Sequence, residues 1–383
     1  MRAFVFTDPT LTRQAGRFVW LSIDTENAKN AGFLEKFPVN VWPSMFVIDA
    51  GSEAAAMRWV GGATTGQLLG ILADGERAVR RGRGGFEQAL ARADRAYAEG
   101  KNAEAAKGYR EAIALAPKSW PRYGRTVESL LFALQFTDDA AGCVTTAREA
   151  FPRLRHTSSA ANVAASGLGC AVQLPPTYPR RAEIVAAFER DVRAVMADPK
   201  ITMSGDDRSG LYQTLIDARE DAKDAAGQRK LTEEWSAFLD GAAARAKTVE
   251  QRTSFDSHRL SAYFALQEPE KAVPMLEKSE KDLPDDYNPP ARLALAWKEL
   301  REWDKALAAS DRALAKAYGP RRLGILRTRA EIYQGKGDAA SAKKTLEQAI
   351  AEAEALPEGQ KSPGMLAGLR KRLAALEKPA SPS

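Results

Sequence analysis

Two rhythms of apolar residues run along this chain, and one gives way to the other near residue 86. Before that point the pattern holds short runs of β-formers. Residues 17–24 read Arg-Phe-Val-Trp-Leu-Ser-Ile-Asp, rich in branched and aromatic side chains. Residues 44–49, Ser-Met-Phe-Val-Ile-Asp, are a short continuous apolar run, as expected of a strand covered on both faces. Ala50-Gly-Ser-Glu supplies a turn, and residues 55–60 alternate like a third strand before Gly61-Gly62. Between the first two runs, residues 27–35 suit a helix with Ala31, Phe33 and Leu34 on its apolar side. After the third, Thr64 or Thr65 can cap a helix to about Val79 that buries Leu68, Leu69, Leu72 and Ala73. This order predicts an α/β segment over residues 1–80, its first two strands joined by a crossover and its last two by a hairpin.

From residue 86 the strand signals stop, alanine becomes dense and the apolar period becomes helical. The segment Ala105-Ala-Lys-Gly-Tyr109-Arg-Glu-Ala112, followed by Pro117, spaces small residues around an aromatic one on a helix face, with Gly100 at the turn before it. The same spacing recurs at Ala272-x3-Leu276-x2-Ser279, Ala306-x3-Ser310-x2-Ala313 and Ala342-x3-Leu346-x2-Ala349. The intervals are 306 − 272 = 34 and 342 − 306 = 36. Small residues belong where two helix backbones cross closely, and a pair of helices that cannot bury its own apolar face must stack on neighbours. Residues 181–198, 208–225 and 228–246 read as further, less regular helices. Residues 363–378 read as a terminal cap, with Leu366, Leu369, Leu373 and Leu376 on one face and Arg370, Lys371 and Arg372 on the other. The prediction for 86–378 is an all-α repeat solenoid, linked through residues 81–85 to the first segment and ending in a disordered tail at 379–383.

Composition narrows the function classes. The formal net charge of +6 over 383 residues is a mild excess, and most basic residues alternate with acidic ones, as on solvated helix faces. The one purely basic cluster, Arg77, Arg80, Arg81 and Arg83, sits among Gly82, Gly84 and Gly85 and reads as a linker rather than a nucleic-acid surface. No apolar run reaches the ~20 residues that span a bilayer. The first ten residues lack the form of a signal peptide, so localisation is not read from this chain. Cys143, Cys170, His156 and His258 are too dispersed for a zinc site, and no C-x-x-C occurs. The two cysteines read as inert packing residues, with a disulfide between neighbouring helices as the alternative. Gly335-Lys-Gly-Asp reads as a repeat turn, Asp206-Asp207 and Asp285-Asp286 as caps and turns, and Trp120, Trp235, Trp297 and Trp303 as repeat core. No catalytic residue, metal ligand or cofactor site is expected.

Residues 22–80 resemble the thioredoxin superfamily. The resemblance is carried by Ser22-Ile-Asp-Thr25, Phe33-Leu-Glu-Lys-Phe-Pro-Val39, Val41-Trp-Pro-Ser-Met-Phe-Val-Ile-Asp49 and Arg58-Trp-Val-Gly61. It implies that Pro43 is the family's cis-proline and that Trp42, Pro43 and Ser44 form the loop contacting extended substrates. It also implies a central strand and a CxxC that should precede residues 17–24. Neither is in the sequence, so the resemblance places Met1 just downstream of the active site, and an internal start is the favoured reading. The helical part resembles tetratricopeptide (TPR) repeats, a family that implies binding of extended peptides or partner domains in a groove. The combined expectation is a thioredoxin-family protein whose TPR array recruits protein clients. Its thiol–disulfide chemistry would belong to a full-length form, and this chain would be catalytically silent. The alternative is a non-enzymatic TPR scaffold with a vestigial thioredoxin-like segment.

Overall fold

The computed structural model describes residues 1–80 and 85–377. After a turn at the start and a 3-10 segment at Pro9–Gln14, the chain forms α1 (Ala31–Lys36), β1 (Ser44–Asp49), β2 (Ala54–Val60) and α2 (Thr65–Val79). A run of helices follows: α3 (Gly85–Ala98), α4 (Asn102–Leu115), α5 (Tyr123–Gln135), α6 (Ala140–Leu154), α7 (Ala160–Gln173), α8 (Arg181–Ala197), α9 (Gly205–Asp221) and α10 (Ala225–Ala244). The rest are α11 (Val249–Thr253), α12 (Asp256–Ala265), α13 (Ala272–Asp282), α14 (Asn288–Glu299), α15 (Trp303–Lys316), α16 (Arg321–Lys336), α17 (Ala339–Ala355) and α18 (Pro363–Glu377). The chain divides into two compact units, residues 1–18 with 37–235 and residues 19–36 with 236–383. Residues 81–84 of the expected linker at 81–85 and the expected tail at 379–383 lie outside the described residues, and Gly85 is already the first residue of α3.

The N-terminal part departs from expectation. The described residues contain one sheet, an antiparallel hairpin in which Ser44 pairs with Val60 and Asp49 with Ala54. Residues 17–24 join no sheet, so the described residues contain no crossover between a first and second strand and show no thioredoxin-like fold. The β-forming character of 17–24 is real but unused. Val19 is 88% exposed and Leu21 71%, because no strand lies beside them to cover them. The hairpin and α2 match their sequence signals more closely. Thr64 is the N-cap of α2, in a reciprocal capping box with Gln67. Ile71, Asp74 and Gly75 are buried along with Leu68 and Leu72, while Leu69 and Ala73 are only half-buried. Gly75 is required there, since a Cβ would meet Val47 of β1 at 2.6 Å.

Within the first unit α3 packs with α4, α5 with α6 and α7 with α8, and the first helices of successive pairs touch, α5 with α7 and α7 with α9. In the second unit α12 with α13, α14 with α15 and α16 with α17 repeat the arrangement, and α18 covers α17. The small residues predicted at crossings, Ala105, Ala112, Ala272, Ala306, Ala313, Ala342 and Ala349, are all fully buried. Large side chains fill the grooves beside them. Tyr109 stacks edge-on against Tyr97 at 6.1 Å, and Trp303 lies over Gly335, where a Cβ would approach its ring to 2.5 Å. Gly335-Lys-Gly-Asp is a repeat turn: Gly337 adopts φ 84° as the C-cap of α16, and Asp338 caps α17. Asp207 completes the capping box of Ser204, and Asp286 accepts the Asn288 amide, so one member of each acidic pair serves as a cap or turn former. Cys143 of α6 and Cys170 of α7 are joined in a disulfide with both residues buried, the less expected of the two readings.

Candidate protein-interaction site

Three of the sequence-marked residues, Trp42, Pro43 and Ser44, lie together at the entrance to the hairpin. The Trp42–Pro43 peptide is cis. The Pro43 carbonyl accepts from the Gly61 amide at 2.9 Å, and the Ser44 hydroxyl donates to the Val41 carbonyl at 2.8 Å. These bonds tie the loop to the start of β1 and the end of β2. The Trp42 side chain is 56% exposed. Among the described residues no group of three or more His, Cys, Asp or Glu is arranged to hold a metal ion, and no helix is long and apolar enough to cross a membrane.

The feature that sequence reasoning missed is where the hairpin sits. β2 packs against α3 and α5, the first helices of two consecutive pairs. Its alternation is used on both sides. Met57 and Trp59 cluster with Ala63 and Ile71 on the α2 side, while Val60 joins the apolar core of the helix pairs. Arg58, only 2% exposed, directs its guanidinium to the Tyr97 ring of α3 at 5.3 Å and to Phe46 at 5.5 Å, and donates to Asn40 at 3.2 Å. The segment after β2 continues along the next first helices, α7 and α9. Gly62 faces Ser204 and Asp207 at the start of α9, and the Gln67 amide reaches the Ser158 carbonyl just before α7. The alternation at 55–60 signalled a strand covered on one face, and nothing in it pointed to a second, helical cover.

Beneath this segment lies a buried ionic cluster. Arg125 of α5 contacts Asp94 of α3 through both terminal nitrogens, at 2.6 and 3.1 Å, and Asp94 also accepts from Tyr109 at 2.9 Å. Asp74 of α2 lies 3.4 Å from Arg125 and 4.0 Å from Arg122, and Arg122 pairs with Glu87. Burial pushes the Asp94 carboxyl up, partly countered by Arg125. Burial works against the Arg125 charge, but the Asp94 and Asp74 carboxylates outweigh it and hold the guanidinium protonated. Glu128 of α5, 2% exposed, is pushed up to about 7 by burial, despite hydrogen bonds from Ser159 and from Asn162 at 2.6 Å. Trp59, Val60, Tyr97, Ser129 and Phe132 lie around it.

In the second unit residues 24–36 lie against repeat turns. Asp24 accepts from Tyr318, Glu26 pairs with Arg321, and the Thr25 carbonyl accepts from Gln360 at 2.9 Å. Arg321 is the first residue of α16, so the Glu26 carboxylate sits near the positive end of that helix.

No protein-family model matches the chain, and no curated protein sequence matches it. Among solved structures the chain is similar to a tetratricopeptide repeat protein from Parabacteroides merdae, at 9% identity over 76% of this chain and 99% of that one, with a TM-score of 0.48. It is similar to the apo form of RapI at 10% identity over 76% and 86%, with a TM-score of 0.42. It is also similar to the TPR2AB domain of yeast Sti1 in complex with pHSP90, at 15% identity over 76% and 98%, with a TM-score of 0.30.

Proposed function

We propose that this chain is a non-enzymatic protein-interaction scaffold in which a stack of helix pairs receives extended polypeptide on the faces of its first helices. One observation carries the reading: β2, an extended strand, is buried against α3 and α5 in the first unit. Those helices thus accept polypeptide in strand form, with an arginine on an aromatic ring and a valine in the apolar core. The loop of Trp42, Pro43 and Ser44 is proposed as a client-contacting surface, on the strength of the exposed indole of Trp42. Thiol–disulfide exchange is the second reading. Cys143 and Cys170, the only cysteines, are bonded to each other and buried, so this chain offers no free thiolate for such exchange.

Fluorescence anisotropy with an array of labelled extended peptides of varied charge and apolar content tests the scaffold reading. Saturable binding by a subset, weakened by Trp42→Ala for clients that use the loop, is the expected result. No binding by any peptide would overturn it. In parallel, insulin disulfides should be reduced no faster than by dithiothreitol alone.

A further inference from the structure

The seam between the hairpin and the helices of the first unit is imperfectly matched in its polar groups. The Nε of Arg58 and the hydroxyl of Tyr97 are both buried there without a hydrogen-bond partner. Each such group costs free energy, so the seam is held less tightly than a fully satisfied one would be. On the far side, Asp74 of α2 meets Arg122 and Arg125 through charges, as polar interdomain contacts do. The strand itself is half of a two-stranded hairpin, an arrangement that is marginal without a support to lie on. All six residues of β1 are only half-buried, so the support comes from the helices.

Resting on the scaffold reading above, we propose that the face formed by α3 and α5 is a recognition site for an extended strand of a protein partner, and that β2 occupies it in cis. The occupant defines the partner's chemistry. Tyr97 offers its ring to a guanidinium, and the apolar cluster beside it offers a place for the aliphatic residue two positions on, filled by Arg58 and Val60. The partner strand therefore carries an arginine followed at two positions by a branched aliphatic residue, with bulky apolar residues on the alternate face. Such a strand competes with β2, and its apparent affinity is reduced by the fraction of molecules in which β2 is seated.

The test uses a labelled peptide with the sequence of residues 54–63, Ala-Ala-Ala-Met-Arg-Trp-Val-Gly-Gly-Ala, against the full chain and its Arg58→Ala variant. Arg58 belongs to the occupant, so its removal leaves the helical face intact. The variant should bind the peptide at least about tenfold more tightly than the parent, and a peptide with alanine in place of its arginine should lose most of that gain. Saturating peptide should speed hydrogen exchange at the β2 amides while those of α7 keep their protection. If Arg58→Ala lowers helicity, Asp74→Asn replaces it, loosening α2 from Arg125 without touching β2. Equal affinities for parent and variant, no binding to the variant, or peptide-free dimerisation of the variant by light scattering (which would assign the face to a second copy) would each overturn the proposal. Binding of other arrayed peptides without this one would sink the proposal and leave the scaffold reading standing.

Discussion

Arg125 grips Asp94 with two guanidinium nitrogens across the α3–α5 contact, and the aspartate is 1% exposed. Neither charge reaches water to any extent, so each depends on the other. The same carboxylate holds the Tyr109 hydroxyl, and so joins three helices at a single side chain.

Asp94→Ala should therefore be costly. It leaves Arg125 with only the more distant Asp74 and strips Tyr109 of its acceptor. A loss on the order of 3–5 kcal/mol is expected, as when one partner of a buried pair is removed. Urea unfolding of the two proteins measures it, and a difference below about 1 kcal/mol would mean that the cluster is solvated rather than buried.

The Cys143–Cys170 bond closes a span of 27 residues between α6 and α7. Restricting a loop of that length in the unfolded chain corresponds to roughly 3–4 kcal/mol. The double variant Cys143→Ala, Cys170→Ala should unfold at a clearly lower denaturant concentration than the oxidised parent and match the reduced parent closely. Identical midpoints for oxidised and reduced parent would show that the bond constrains nothing.

The repeat array was legible because its signal is local. Alanines at 272, 306 and 342 mark helix crossings whatever lies around them, and all three are fully buried. The N-terminal part was half legible for the opposite reason. Residues 44–60 and the capping signal at Thr64 and Gln67 specify a hairpin and a helix through adjacent residues. Residues 17–24 carry β-propensity with no adjacent partner, and propensity without a neighbouring strand does not make a sheet. What holds residues 24–36 comes instead from Tyr318, Arg321 and Gln360, some 300 positions away in the sequence. The placement of Pro43 directly ahead of a strand was legible. The seat of β2 on α3 and α5 was not, because it rests on a contact between Arg58 and Tyr97, positions that no local pattern links.

Gly319 bears on the docking of that distant segment. It adopts φ 55°, and a Cβ there would come within 2.2 Å of the Glu26 carbonyl oxygen, which is backbone and cannot rotate aside. Gly319→Ala should cost about 1–3 kcal/mol through local strain and release residues 24–36, with faster hydrogen exchange there and unchanged protection in α14 and α15. Unaltered exchange at Glu26 and Asn27 would show that the segment is held without the close approach at Gly319.

Glu128 should give the protein a characteristic response to pH. Burial favours its neutral form, so its folded value, about 7, stands above the ordinary value near 4.5. The groups facing it are Ser159 and Asn162 from α7, which donate to it, Asp207 from α9, which repels it, and Arg125 on its own helix, which attracts it. Between about pH 4.5 and 7 the folded chain holds a proton at Glu128 that the unfolded chain has released. Stability from this group is thus fully present below about 4.5 and is lost as pH rises through 7. The full difference is on the order of 3 kcal/mol. Glu128→Gln keeps an uncharged side chain of the same shape and has no proton to lose. The stability of the variant relative to the parent should therefore rise from pH 4.5 to 7.5 and level off above that. Urea midpoints of both proteins at half-unit intervals measure the difference directly and cancel the titrations they share. A difference that is flat across this range would mean that Glu128 is already ionised in the folded protein.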